Sequence, residues 1–335
     1  MNRALTKRTL ILWLGGYGLF FCLVLLICPW IGGETIDYRS LWQRNWTIDS
    51  EILFFQRIPR VLLAALVGGA LAVVGAAFQV ILHNPLAEPY TLGITGGGSV
   101  GAVLAITVPW FAWSWGPFST IQLCSLLGSG AILYMIYTIA RRPEGVSTST
   151  LLLAGVTISI LSAGMIMFIR YFASPHYLME MDRWFMGGVD VVGYNELSAL
   201  FPLLMPGLWL LFSCVIELNH LSLGEEIAFG HGVDVHAVHQ RVFLGGGLTT
   251  AAVVSMAGPI GFVGLIIPHA VRYLSGYDHR IVLPASFFGG GSFLVLCDTV
   301  ARTILSPMEM PVGIITAMIG GPMFILILLK KKGIE

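Results

Sequence analysis

Long apolar runs, each about as long as a lipid bilayer is thick, constrain this chain more than any motif in it. Residues 9–30 and 58–82 run for more than twenty positions with hardly a charge, and a hydrocarbon layer asks for a helix of about 20 apolar residues. Charged residues make up 11% of the 335 and hydrophobic ones 56%, whereas a soluble domain carries about 25% charge. A soluble fold of this size has no interior large enough for so many apolar side chains. The apolar residues come in continuous runs and not in alternation, which excludes a β-barrel. The fold class is an all-α polytopic membrane protein.

The runs predict about ten spans, at 9–30, 58–82, 91–108, 119–140, 150–172, 195–216, 241–256, 259–274, 281–304 and 311–330, in one transmembrane domain covering 1–335. An even number puts both termini on one side. With that side cytoplasmic, Arg3, Lys7, Arg8, Arg141, Arg142, Arg241, Arg272, Arg280 and Lys330 to Lys332 fall inside, and Arg39, Arg44, Arg57, Arg60, Arg170, Arg183 and Arg302 outside, in line with the positive-inside rule. Trp42 and Trp46, with Ile48, Ile52 and Phe55, read as an interfacial segment of the first outer loop. Asp298 and Arg302 read as an i,i+4 pair near the outer end of the ninth span. The glycine-rich stretches at Gly68–Gly69, Gly96–Gly98, Gly245–Gly247 and Gly289–Gly291 predict close helix packing. The five cysteines all lie in apolar segments without metal-ligand spacing, so neither a disulfide framework nor a metal site is expected. A formal net charge of zero speaks against a nucleic-acid partner.

Residues 217–241, ELNHLSLGEEIAFGHGVDVHAVHQR, form a polar island in this apolar chain. The island predicts two short helices on the cytoplasmic side. Ser222 and Glu225 have the spacing of a capping box. Glu225 and Glu226 suit the first turn of a helix. Gly230 and Gly232 suit its end, and Asp234 can cap the helix that runs into the next span. His231, His236 and His239 cluster here, but glycine separation and exposure argue against a metal site.

What the sequence lacks is as informative. There is no GxxxxGK[ST] or HExxH, and the middles of the spans carry almost no ionisable residues, which an ion-coupled transporter would need. A cytoplasmic docking surface without its own nucleotide site implies a partner NTPase. The rival readings are an ion-coupled secondary transporter and a membrane enzyme working through the acidic cluster at Glu180–Asp190.

Several short segments together carry a family resemblance: Arg57-Ile-Pro-Arg60, Asn84-Pro-Leu-Ala-Glu-Pro89, Ser147-Thr-Ser149 with Leu151-Leu-Leu-Ala-Gly155, Leu223-Gly-Glu225, Gly258-Pro-Ile-Gly-Phe-Val-Gly-Leu-Ile-Ile-Pro-His269, Asp278-His-Arg280 and Pro311-Val-Gly313. End to end, the chain resembles the permease subunits of bacterial ABC importers for iron–siderophores, haem and vitamin B12. The resemblance implies a non-enzymatic, cofactor-free subunit of the bacterial inner membrane that pairs with a second copy. Two ATP-binding subunits would couple through Ser222, Leu223, Gly224, Glu225, Glu226, Ala228, Gly230 and Gly232. An external binding protein would dock on Arg57, Arg60 and Arg302. A cytoplasmic gate would be formed by Asn84, Leu86, Ser147, Thr148 and Ser149. Trp184-Phe-Met-Gly-Gly188 is more similar to the vitamin B12 permeases than to the siderophore ones, with haem, iron-chelate and molybdate importers close behind.

Overall fold

The structure is a computed structural model and describes residues 7–34, 48–108, 114–142 and 145–332. Trp42 and Trp46, together with Arg3, Arg39 and Arg44, lie outside the described residues. The apolar runs become helices α1 (Lys7–Ile27), α2 (Ile58–Ile81), α3 (Ile94–Thr107), α4 (Thr120–Ala140), α5 (Thr148–Phe172), α6 (Pro175–Phe185), α7 (Asn195–Ser213), α8 (Val215–Leu221), α9 (Glu225–Gly230), α10 (Val235–Ala257), α11 (Val263–Ser275), α12 (His279–Thr303) and α13 (Val312–Lys332). Six helical stretches among the described residues are long and apolar enough to cross a membrane: Lys7–Trp30, Ile48–Ile81, Thr120–Ala140, Thr148–Phe172, Asn195–Ser213 and His279–Thr303. The chain is a helical membrane protein. Two short antiparallel pairs, Ser114–Trp115 with Phe118–Ser119 and Arg141–Arg142 with Gly145–Val146, close loops that carry no strand signal in the sequence.

Side-chain caps fix where several helices start. Ser119 and Gln122 make a reciprocal capping box on α4, Ser147 accepts from the Thr150 amide at the start of α5, and Asp234 accepts from the Ala237 amide at the start of α10. Each cap satisfies an amide that the first turn leaves without a helical partner.

The core is built around α2. The most apolar window of the stretch that contains it is 89% buried, against 6% for α1 and 17% for α5. Lipid is as apolar as leucine, so packing inside a membrane relies on backbones that can approach closely. Accordingly, a Cβ on Gly290 of α12 would sit 2.5 Å from Ala72 Cβ of α2, and one on Gly291 would sit 2.7 Å from the Ala65 carbonyl. Gly101 of α3 meets the Cys124 carbonyl of α4, and Gly246 of α10 meets Phe78 of α2. The glycine stretches pack helices, as expected.

α3 and α11 are half-length. The chain before each is irregular, and the two irregular stretches meet. Tyr90 Oη donates to the Ile260 carbonyl at 2.5 Å and accepts from the Ile260 amide, while Glu88 Oε2 accepts from the Phe262 amide at 3.3 Å. Phe262 itself holds a left-handed φ of +69°. A Cβ on neighbouring Gly264 would lie 2.8 Å both from the Leu71 carbonyl and from Pro89 Cδ. The junction therefore stands beside Leu71, near the middle of α2. The 83–90 connection does more than close a turn after α2, because its far end, at Glu88 to Tyr90, reaches half-way along that helix. It carries Glu88 with it, an ionisable group at a depth where the sequence reading expected almost none.

Candidate docking and gating sites

The two ends of α2 carry different chemistry. At its first turn the chain gathers arginines and carboxylates from four segments around a cavity of about 830 Å³, lined among others by Arg57, Arg60, Arg183, Asp190, Arg302 and Glu309. Asp298 of α12 is fully buried. It receives Arg60 at 2.9 Å from the Nη2 side and Arg302 Nε at 3.3 Å, so the i,i+4 pair expected from sequence exists and Arg60 joins it. The outward nitrogen of Arg60, Nη1, reaches Glu309 Oε2 at 2.6 Å and Asp190 Oδ1 at 3.0 Å, both on half-exposed side chains. Arg302 also donates to the Cys28 carbonyl at 3.1 Å. Arg57 is 6% exposed and donates to the Glu34 carbonyl at 2.5 Å. The three arginines assigned by resemblance thus stand together, but each already holds a partner within the chain. Arg60 is the one whose outer edge is bound by exposed carboxylates, which an external acidic group could exchange. Asp190, offered above as part of an acidic catalytic cluster, is bound to Arg60, with Arg183 at 3.9 Å. Asp182 is bound to Arg170 at 2.6 Å.

At the opposite end lies the polar island. It folds as α8, the six-residue α9 and the start of α10. Glu225 and Glu226 occupy the first turn of α9, Gly230 ends it, and Gly232 turns left-handed at φ +79°. The expected capping box does not form. The Ser222 hydroxyl donates back to the Asn219 carbonyl at 2.7 Å, and Gly224, at φ +120°, is the residue that opens the helix. Of α9 only Ala228 is buried, while Leu223, Ile227 and Phe229 are exposed at 64%, 48% and 77%. Asn219 is a residue the sequence reading missed. Its amide nitrogen donates to Asp278 Oδ1 at 3.0 Å, and its oxygen accepts from the His279 amide at 2.7 Å. The Arg280 side chain bonded to Asp278 holds that carboxyl well below the ordinary range, at about 2, against an opposing push from burial and with help from the Arg280 amide and Asn219. The island is therefore clamped to the start of α12. A side-chain amide sixty residues from the helix it ties leaves no local signal.

The residues that the resemblance assigns to a gate fall on the same end. Asn84 Oδ1 accepts from the Leu86 amide at 2.9 Å, a turn that Asn makes with its own chain, and leaves Leu86 exposed. Ser147 caps α5 and shares hydrogen bonds with Ser149 at 3.2 Å and Thr150 at 3.0 Å, and Thr148 opens the helix. The two segments approach each other about two turns on: a Cβ on Gly155 of α5 would lie 2.8 Å from Leu92 Cα. Among the described residues, no group of three metal-ligating side chains could hold an ion.

The FecCD transport family matches residues 19–330. The haemin transport system permease HmuU of Yersinia pestis is 35% identical over 322 residues, covering 93% of this chain and 95% of that one. The cobalamin import system permease BtuC of Halobacterium salinarum is 40% identical over 276 residues, covering 82% and 73%. The ABC transporter permease protein YvrB of Bacillus subtilis is 40% identical over 304 residues, covering 88% and 85%. Among solved structures, a metal-chelate type ABC transporter in an inward-facing conformation superposes with a TM-score of 0.82 at 30% identity, over 96% of this chain and 99% of that one.

Proposed function

The chain belongs to the FecCD transport family of ABC importer permeases, and from that premise we propose that it is the transmembrane subunit carrying a metal chelate inward across a bacterial inner membrane. Ten spans, α1 to α5, α7 and α10 to α13, suit the alternation of the chain between its two ends. The island end then faces the cytoplasm with both termini, and the arginine end faces outward. Two copies would form the pathway, two ATP-binding subunits would dock on α9 and its flanks, and a substrate-binding protein would dock at Arg57, Arg60 and Arg302. The permease itself would perform no chemistry.

The observation that carries this reading is α9. A six-residue helix in a polar stretch of the chain exposes Ile227 and Phe229, with Leu223 exposed just before it, and apolar side chains grouped on a polar surface mark a protein contact. Co-expression with an ABC-type ATPase and a substrate-binding protein of the same organism should yield a co-purifying complex, and Phe229→Asp should lose the ATPase while the permease still inserts. Wild-type permease that never retains an ATPase would sink the reading. An ion-coupled transporter would instead lose uptake to an uncoupler with ATP intact.

The cargo reading rests on the relatives' names and on Trp184–Gly188. We place cobamides and haem first, iron–siderophores next, and molybdate behind them. Thermal stabilisation of the binding protein by each compound in turn identifies the cargo.

A further inference from the structure

α9 is too short to hold itself, since isolated helices below about 12–15 residues are marginal in water, and it lacks a side-chain cap. Ala228 anchors its middle, and the Val233 amide closes on the Ala228 carbonyl at 3.1 Å. At its N-terminal turn, Glu225 Oε1 stands 3.7 Å from Nε2 of His239 on α10. That ring is 3% exposed, and its Nε2 has no hydrogen-bond partner. A buried polar atom left unpaired is costly, and the nearest carboxylate that could satisfy it belongs to α9. We propose that His239 is the positioning residue that seats the N-terminal turn of α9, through a bond to Glu225 that tightens when the imidazole takes a proton. The inference rests on the reading of α9 as the ATPase-docking helix for its consequence, which is a docking surface firmer at lower cytoplasmic pH.

The groups that bear on this ring are few. Burial bears most and holds the ring below the ordinary imidazole value; Glu225, facing it from α9, favours the charged form, and His83, from the segment after α2, and His236, on the same helix, oppose it. Glu217 of α8 points to Arg241 at 4.0 Å and so is engaged elsewhere. Protonation replaces an open 3.7 Å gap by a charge-assisted hydrogen bond, and such bonds are shorter and about twice as strong as neutral ones. The sequence offered the island's histidines only as an unconvincing metal site. The structure gives one of them a single carboxylate neighbour.

Hydrogen–deuterium exchange on the full chain in nanodiscs of phosphatidylethanolamine and phosphatidylglycerol tests this directly. After correction for the intrinsic pH dependence, exchange in residues 225–230 should slow about fivefold between about pH 7.5 and about pH 5, a window carried to the acid side because burial holds the ring below the ordinary imidazole value. His239→Gln, which still donates but does not titrate, and Glu225→Gln should both flatten that dependence. Glu225 is half-exposed, so Glu225→Gln decides the matter alone if His239→Gln lowers the melting temperature. A flat wild-type profile, or one unchanged in Glu225→Gln, overturns the proposal. Failure of the wild type to bind any ATPase would overturn the docking reading and leave the exchange result standing.

Discussion

Asp298 is one carboxylate placed between two guanidinium groups in a protein whose other charges keep mostly to the ends. Removing one partner of a buried ion pair leaves the others desolvated and unbalanced, at a cost of about 3–5 kcal/mol. Asp298→Ala should therefore lower thermal stability in detergent by that amount, with the Arg60 and Arg302 side chains left facing each other, whereas Glu309→Gln, at a half-exposed partner, should cost less than about 1 kcal/mol. Equal losses would mean that burial does not rank these pairs. Arg302→Glu, natural as a docking test from sequence alone, becomes a folding test, because it places a second carboxylate beside the buried one. Asp278 makes a different prediction. Its carboxyl is held at about 2, below its ordinary 3.8, by Arg280 first. A depressed carboxylate contributes stability above its unfolded value and loses it as pH falls through the folded one. The clamp on α12 should thus be whole above about pH 4 and fade toward about pH 2. Melting curves of wild type and Asp278→Asn should differ at neutral pH and converge at the acid end of that window.

Among the elements, the contact of α2 with α11 is the one most dependent on having no side chain. A Cβ on Gly75 would overlap the backbone of Gly264, whereas one on Gly130 of α4 would meet nothing within 4 Å. Gly75→Leu should cost at least about 2 kcal/mol, or abolish folding, since overpacking a tight contact moves backbone. Gly130→Leu should be nearly neutral by the same unfolding assay, and similar effects of the two would refute the packing argument. Element boundaries were legible from sequence where an apolar run met a capping residue, as at Ser147 and Asp234. The Ser222 box failed because the same spacing allowed a competing local bond. Ser222 sits in the turn that ends α8, its hydroxyl finds the Asn219 carbonyl first, and Gly224 opens α9 without a side chain.

For the whole molecule, the membrane class and the order of helices follow from runs of residues that water would not tolerate, and those runs stand out in any reading. The arginine end could be read only in pieces. Arg60 and Asp298 are separated by 238 positions, and Glu309 joins them from a loop with no pattern of its own. The meeting of 88–90 with 260–264 was hidden for the same reason, because each half reads as a plain break. One prediction belongs at this scale. Gly224→Pro forces a fixed negative φ on a residue at φ +120°, so the turn that presents α9 must change. The expected outcome is an inserted permease whose associated ATPase hydrolyses ATP without uptake. Uptake at the wild-type rate would show that α9 transmits nothing.

The half-length helices bear on how the chain is made. Thirteen residues of α11 rise about 20 Å, short of a hydrocarbon layer about 30 Å thick. Neither α11 nor α3 can therefore cross the layer alone as it leaves the ribosome. Their exposed breaks need protein cover, because lipid offers backbone amides and carbonyls no partner. Part of that cover for Phe262 comes from Gly320 of α13, where a Cβ would sit 2.5 Å from the phenylalanine Cβ. The helix that shields the break is thus synthesised after it, with Gly320 lying 58 positions beyond Phe262. Until the middle of that helix emerges, the nascent chain holds the Phe262 break in the bilayer without this cover.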